Sequence, residues 1–155
     1  VTVEGELGHV GANEGGSAEG NDTGSIYTDP FEAQTYAERT GVDALAIAVG
    51  TAHGAYKSKP KLDFERMTTI SNIVKSPLVL HGGSGTPPEK IRAVIACGIA
   101  KVNIATEFQY DFQQKLKARL LEAGDKFIAA DLLMAPVVDS STEFIKREIR
   151  FLAGL

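Results

Sequence analysis

The sequence predicts an α/β fold built on a parallel β-sheet, and two patterns lead to this prediction. Short, almost continuously apolar runs alternate with longer segments in which apolar residues recur at helical spacing. Most connections between them are short, so successive strands should pair in parallel through right-handed helical crossovers. Four such strand–helix units are either half of an eight-stranded barrel or a small doubly wound sheet.

The predicted strands lie at 1–7, 44–50, 77–82 and 101–106. The middle two, ALAIAVG and PLVLHG, are apolar almost throughout, as expected of strands that are buried on both faces of a sheet. A chain of 155 residues is long enough to bury a sizeable core around these strands.

Helical patterns separate and follow the strands. In the first, Asp29 is the predicted N-cap, Pro30 the first helical residue and Gly41 the stop. A second helix is predicted to begin at Asp63, and a third to run from Thr86-Pro87 to a stop at Gly98. A fourth is predicted from Thr106 to about Ala123, and the last from about Ser140 to Leu152.

One connection is long. Residues 8–28 are rich in glycine and nearly devoid of apolar residues. A loop of this length within a compact domain is either functional or disordered, and we interpret it as a mobile active-site loop. A carboxylate on such a loop can serve as a proton donor, which makes Glu14 a candidate; a solvated surface glutamate is the alternative.

Composition and charge exclude several classes of protein. The net charge of −4 argues against a nucleic-acid partner, and the absence of a long apolar run argues against a transmembrane helix. The single cysteine, Cys97, excludes an internal disulfide and favours a cytoplasmic location. Because the chain lacks an initiator methionine and starts within the apolar-alternating VTVEGEL, we interpret it as a fragment or as one part of a nicked protein.

Two of the three histidines directly precede a glycine near the end of a predicted strand. His53 follows the second strand in TAHGAYK, and His81 ends the third in LVLHGGSG. Side chains at the carboxyl ends of parallel strands converge, so both imidazoles can share one metal, and two histidines plus a third ligand suit zinc. The alternative is that each histidine is hydrogen-bonded to loop backbone.

The sequence HGGSG runs through TPPE into a helix, and the unpaired amides and dipole of a helix N-terminus favour an anion. HGAYK adds a cation, Lys57, while Asn103 and Thr106 lie at the end of the fourth strand. Ordinary turns are the alternative, but small or polar residues at three successive strand ends favour a phosphate site. A phosphate beside a metal indicates a phosphorylated substrate whose carbonyl or enolate the metal polarises.

Glu4 and Glu6 alternate on the first strand and therefore face the same side of the sheet. They can form a polar layer of a barrel or pair with Lys101, or they can belong to the site.

Five stretches carry a family resemblance: VEGELG, GTAHGAYK, PKLDFERM, PLVLHGGSG and KVNIATE, in this order within residues 1–107. They resemble the carboxyl-terminal half of a class II, zinc-dependent ketose-bisphosphate aldolase of the fructose- or tagatose-bisphosphate type. The resemblance implies that residues 1–155 are the carboxyl-terminal half, strands 5–8, of a TIM barrel that forms a single aldolase domain, with 124–155 as a helical tail. It also implies a lyase that reversibly cleaves a ketose 1,6-bisphosphate into dihydroxyacetone phosphate and an aldehyde phosphate.

The resemblance assigns roles to individual residues. His53 and His81 correspond to two of three catalytic zinc ligands, and Glu6 corresponds to a carboxylate that holds zinc in an alternative position. Glu14 corresponds to a loop glutamate that moves protons at the carbon of the enediolate. The residues that correspond to the substrate and phosphate site, with Na⁺ or K⁺ often nearby, are Gly54, Lys57, Gly82, Gly83, Ser84, Asn103, Ile104, Ala105 and Thr106.

The family's third zinc histidine and its catalytic aspartate belong to the other half of the barrel, and nothing in this sequence aligns with them. We therefore expect an N-terminal half-barrel as a partner, an inactive fragment in its absence, and a homodimer or homotetramer of the whole. The sequence leaves open the fructose or tagatose configuration of the substrate. Two other functions stay open: a ketose epimerase that works through the same enediolate, and a non-catalytic, chaperone-like barrel subunit.

Overall fold

The computed structural model describes residues 1–8, 27–51 and 61–155. In chain order, its elements within these ranges are β1 (Glu4–Leu7), α1 (Pro30–Thr40), β2 (Ala44–Ile47), α2 (Phe64–Ile73), β3 (Leu78–Leu80), α3 (Pro88–Ala96), β4 (Ile99–Val102), α4 (Thr106–Ala123) and α5 (Ala130–Ala153). The chain divides into two compact units, Val1–Ile104 and Ala105–Leu155.

The first unit contains the sheet, in which the strands are parallel and lie in the order β1-β2-β3-β4. Glu4 pairs with Ala44, Leu45 with Leu78, and Leu78 with Ile99. Each strand lies beside the next strand in sequence, which is the arrangement of successive βα units in a barrel. This topology confirms the predicted α/β fold, a partial TIM barrel of four parallel strands.

The core of the first unit lies between the sheet and its helices. β2 and β3 are buried along almost their whole length, as their apolar sequences predict. Helices α1, α2 and α3 cover the sheet with small or apolar residues at helical spacing, which are Ala33, Ala37, Met67, Ile70, Ile91 and Val94.

The helix ends confirm several sequence predictions. Asp29 caps α1, because its Oδ1 accepts hydrogen bonds from the backbone N–H groups of Phe31 and Glu32, and Gly41 ends that helix at a φ of 65°. Asp63 caps α2 by accepting a 3.0 Å hydrogen bond from the backbone N–H of Arg66.

The fourth strand begins two residues earlier than the sequence predicts. It begins at Ile99, directly after Gly98, whose φ of 101° strongly favours glycine. A Cβ at this position would also clash with the side chain of Ser71. Asn103 and Ile104 therefore follow the strand instead of belonging to it.

The second unit consists of α4 and α5. The predicted start of the last helix is wrong, because α5 begins at Ala130 and continues through Pro136, a residue that usually interrupts a helix. The two helices pack through Phe108 and Phe144, whose ring centroids are 5.9 Å apart, and Val137 is buried. Among the described residues, no helix has the length and apolar character needed to cross a bilayer.

Candidate functional site

Four polar side chains meet on one face of the sheet near the end of β3. Glu4 and Glu6 come from β1, Lys101 from β4, and His81 directly follows β3. We call these four residues the strand-end cluster. The structure thus brings together two predicted site residues, Glu6 and His81. Beside them lie Glu4 and Lys101, for which the sequence offers pairing with each other as an alternative to a role in the site.

Each nitrogen of the His81 ring faces a carboxylate. Its Nε2 lies 2.9 Å from Oε1 of Glu4, and its Nδ1 lies 3.2 Å from Oε2 of Glu6. The other carboxylate oxygen of Glu4 lies 2.6 Å from Nζ of Lys101. Glu4 therefore connects the histidine to the lysine, using one oxygen for each.

The sequence of β1 produces this arrangement through simple alternation. Glu4 and Glu6 point to the cluster, whereas Gly5 faces α1 on the other side of the sheet. A Cβ on Gly5 would lie 2.9 Å from Cε1 of Tyr36 and 3.1 Å from Cγ1 of Val42. Gly5 thus lets α1 pack closely behind the strand that presents both glutamates.

The electrostatics of the cluster favour an ionised Glu4. The hydrogen bonds that Lys101 and His81 donate to this carboxylate hold the pKa of Glu4 below its usual range. A neutral imidazole has one N–H donor and one lone pair, so His81 cannot donate to both carboxylates at once. A cation held between Nδ1 and Glu6 is one arrangement that satisfies both contacts.

A divalent metal fits the Glu6 side of the ring. Two ligand atoms that each lie about 2.0–2.1 Å from one tetrahedral zinc are roughly 3.3 Å apart. The 3.2 Å separation between His81 Nδ1 and Glu6 Oε2 agrees with this spacing. Glu4 on the opposite nitrogen then completes the carboxylate–histidine arrangement that is common around metal ligands.

The described residues do not complete a metal site on their own. Within 1–8, 27–51 and 61–155, no three His, Cys, Asp or Glu side chains are placed to hold a metal ion together. His53, the other predicted ligand in this chain, lies outside these ranges, as do Glu14, Gly54, Lys57 and most of the predicted loop 8–28. Their roles stay predictions.

The glycine-rich turn after β3 lies beside the cluster and directly before α3. Gly82 has a φ of 66°, and Ser84 is buried. The backbone N–H of Gly83 donates to the carbonyl oxygen of Asn103 at 3.0 Å, so it ties the turn to the segment after β4. A Cβ on Gly83 would lie 2.6 Å from Cγ1 of Val102, so close packing explains this glycine without any ligand.

The remaining residues of the predicted phosphate site follow β4. Asn103 donates its backbone N–H to the carbonyl oxygen of Leu80 at 2.9 Å, which places it next to the glycine-rich turn. Ile104 is half-buried and ends the first unit, and Ala105 and Thr106 begin the second unit, where α4 starts at Thr106.

Thr28 fixes the ends of β1 and β2, a role that no pattern in the sequence indicates. Its buried hydroxyl donates to the carbonyl oxygen of Leu7 at 2.5 Å and accepts from the backbone N–H of Ala48 at 2.8 Å. Arg66 adds a 2.9 Å hydrogen bond to the carbonyl oxygen of Thr28, and its guanidinium lies 5.5 Å from the ring centroid of Tyr27. In the sequence, Thr28 resembles any polar loop residue.

Comparison with known proteins agrees with the fold. A sequence model of the class II fructose-bisphosphate aldolase family matches residues 1–154. The structure is similar to the YdjI aldolase from Escherichia coli K12, with 35% identity and a TM-score of 0.75, over 98% of this chain and 49% of that one. It is also similar to a protein assigned as a fructose-1,6-bisphosphate aldolase from Coccidioides immitis, with 25% identity and a TM-score of 0.79, over 99% of this chain and 52% of that one.

A third similar structure is the fructose-bisphosphate aldolase from Campylobacter jejuni, with 25% identity and a TM-score of 0.74, over 99% of this chain and 52% of that one. The chain thus spans about half the length of the solved structures that it matches. Because the family match extends over almost every residue, the chain belongs to the class II fructose-bisphosphate aldolase family.

Proposed function

We propose that the full-length protein is a metal-dependent aldolase that reversibly cleaves a ketose 1,6-bisphosphate into dihydroxyacetone phosphate and an aldehyde phosphate. The observation that carries this proposal is the position of His81. Its ring lies between Glu4 and Glu6, beside a glycine-rich turn that leads into a helix, in a chain of the class II aldolase family.

The metal in this proposal is zinc. His81 would hold it with His53 and with a histidine from the other half of the barrel, and Glu6 would provide a ligand for an alternative position. Support comes from the spacing between His81 Nδ1 and Glu6 Oε2, which agrees with two ligands of one tetrahedral ion. When bound, zinc supplies a Lewis acid that polarises the ketose carbonyl.

The residues of this chain would bind and orient the substrate. The turn from Gly82 to Ser84 and the ammonium of Lys57 would bind the phosphate next to the cleaved bond, with Na⁺ or K⁺ nearby. Asn103 through Thr106 would contact the oxygens of the same half of the substrate. Glu14 would deliver the proton that converts the enediolate into dihydroxyacetone phosphate.

The partner in this proposal is an N-terminal half-barrel that precedes this chain. Within the described residues, β1 pairs only with β2, so its other edge is open, and open strand edges need a cover. Beside that edge, Leu7, Phe31 and Tyr36 line a groove, and Phe31 is 76% exposed. A preceding strand and helix would cover both features, and the matched structures are about twice as long as this chain.

The experiment that tests this function is a cleavage assay on the full-length, zinc-loaded protein. Fructose 1,6-bisphosphate and tagatose 1,6-bisphosphate are supplied separately, and dihydroxyacetone phosphate is measured. We expect cleavage of at least one of them, and the preferred one identifies the configuration at C4. Interconversion of unphosphorylated ketoses without cleavage would instead identify an epimerase, and inactivity in both assays would favour the non-catalytic subunit.

A further inference from the structure

Glu4 is the residue through which His81 and Lys101 are connected. We infer that Glu4 and Lys101 are positioning residues for the metal site: Glu4 determines which nitrogen of His81 faces the metal, and Lys101 holds Glu4 in the required orientation. This inference rests on the proposed metal-dependent function, but it assigns roles to two residues outside the predicted ligand set.

The first step concerns the proton on the ring. A carboxylate only accepts hydrogen bonds, so the 2.9 Å contact between Glu4 Oε1 and His81 Nε2 requires a proton on Nε2. In the neutral ring, Nδ1 then presents its lone pair. Because Nδ1 is the nitrogen that faces Glu6, Glu4 selects the form of His81 that binds a cation on the Glu6 side.

The second step concerns the orientation of the ring. The His81 side chain is only 14% exposed and that of Glu4 only 27%, so this contact is partly shielded from water. Hydrogen bonds of metal-bound histidines to carboxylates typically fix the ring and make it a better ligand. Rotation of the Glu4 carboxylate would remove this support from His81.

The third step explains Lys101. Glu4 and Glu6 lie two residues apart on one face of β1, so their negative charges repel each other. The ammonium of Lys101 lies 2.6 Å from Oε2 of Glu4, the oxygen that His81 does not use. Lys101 therefore counters the repulsion and prevents the carboxylate from turning away from the ring.

A purely structural role is the competing explanation. In that case the contacts would only tie β1, β3 and β4 together, and their loss would lower the stability of the metal-free protein. The affinity of the folded protein for metal would then stay unchanged. Measuring these two quantities separately distinguishes the two roles.

The test uses the full-length protein with Glu4→Gln, Lys101→Met and the double variant. Zinc affinity is measured by competition with a chromophoric chelator, and thermal unfolding is measured without metal. Gln keeps the size of Glu4 but loses its charge. Glu143→Gln and Lys146→Met are the matched controls, because these residues form an exposed 2.8 Å ion pair on α5.

We expect Glu4→Gln to lower zinc affinity by about 10- to 100-fold, the usual effect of losing a carboxylate behind a metal-bound histidine. Lys101→Met should lower it less, and the double variant should resemble Glu4→Gln because Lys101 acts through Glu4. Both controls should bind zinc like the wild type. If Glu4→Gln does not fold, a loss of zinc affinity in Lys101→Met supports the inference.

Three results would overturn it. The first is wild-type zinc affinity in a folded Glu4→Gln variant, or in Lys101→Met if that variant alone folds. This result would remove the positioning role but leave the proposed function intact. Independent, additive losses from the two substitutions would show that Lys101 does not act through Glu4. A wild-type protein that binds no zinc would overturn the proposed metal chemistry as well.

Discussion

Glu4 on β1 and Lys101 on β4 are joined by a 2.6 Å contact, although β2 and β3 lie between their strands. Neighbouring strands are about 4.7–4.9 Å apart, so these two strands are separated by roughly 14 Å along the sheet. Side chains that rise from a flat sheet could not meet across that distance. The contact therefore requires a sheet that curves toward the cluster, as half of a barrel does.

The hydroxyl of Thr28 should be important for stability. Thr28→Val keeps the shape of the side chain but leaves the carbonyl of Leu7 and the N–H of Ala48 without this partner. We expect the free energy of unfolding of the full-length protein to fall by about 2–3 kcal/mol, measured by urea denaturation. Thr68→Val is the control, because its exposed hydroxyl only bonds back to its own helix, and a similar loss there would contradict this account.

The cap of α2 should make stability depend on pH. Hydrogen bonds from the backbone and side chain of Arg66 hold the pKa of Asp63 below its usual range. Because the folded protein favours the ionised form, its contribution is fully present above the usual aspartate value of about 3.9 and is lost as pH falls through the lower, folded pKa.

Asp63→Ala should therefore lower the free energy of unfolding by about 0.5–2 kcal/mol at neutral pH, and the difference from wild type should shrink in acid. Asp63→Asn is the control, since asparagine also caps helices but does not titrate in this range. Urea denaturation at several pH values measures both variants. An Ala variant whose deficit stays constant into strong acid would show that the charge of Asp63 does not matter.

The glycine-rich turn should contribute to substrate binding through Ser84. If its hydroxyl contacts the phosphate, Ser84→Ala should weaken substrate binding by about 1–2 kcal/mol, the scale of one hydrogen bond to a charged group. Isothermal titration of the full-length protein with dihydroxyacetone phosphate measures this change. Ser76→Ala is the control, because its hydroxyl bonds to the carbonyl of Val42 away from the turn, and equal affinities in both variants would place the phosphate elsewhere.

Glu14 should affect proton transfer without affecting the metal. Glu14→Ala should lower turnover by about 10²–10⁴-fold, the usual contribution of a positioned acid or base, and should leave zinc content unchanged. Exchange of the dihydroxyacetone phosphate proton with solvent, followed by NMR, should slow in parallel. Glu19→Ala, in the same predicted loop, is the control. Normal exchange in the Glu14 variant would identify Glu14 as a solvated loop residue.

Local chemistry explains which parts of the fold could be predicted from the sequence. Asp29, Asp63 and Gly41 are found at the helix ends where the sequence placed them, because capping depends on only a few neighbouring residues. The start of α5 could not be predicted, because a helix through Pro136 is stabilised by packing between helices instead of by local preference.

The candidate site likewise combines features that the sequence predicts with features that it does not. The alternation of Glu4 and Glu6 and the position of His81 at a strand end follow from strand periodicity, and both are found in the structure. The sequence could not show that Glu4 connects His81 to Lys101, because this depends on the curvature of the sheet. The contacts of Thr28 likewise depend on which strand ends meet in three dimensions.

The most direct test of the proposed metal-dependent chemistry is the rate of ketose 1,6-bisphosphate cleavage by the full-length protein before metal removal, after it, and after zinc is added back. We predict that chelation abolishes cleavage and that zinc restores it in the wild type but not in His81→Ala. Cleavage that continues at the wild-type rate without metal, and that borohydride blocks by trapping a lysine Schiff base, would contradict the account.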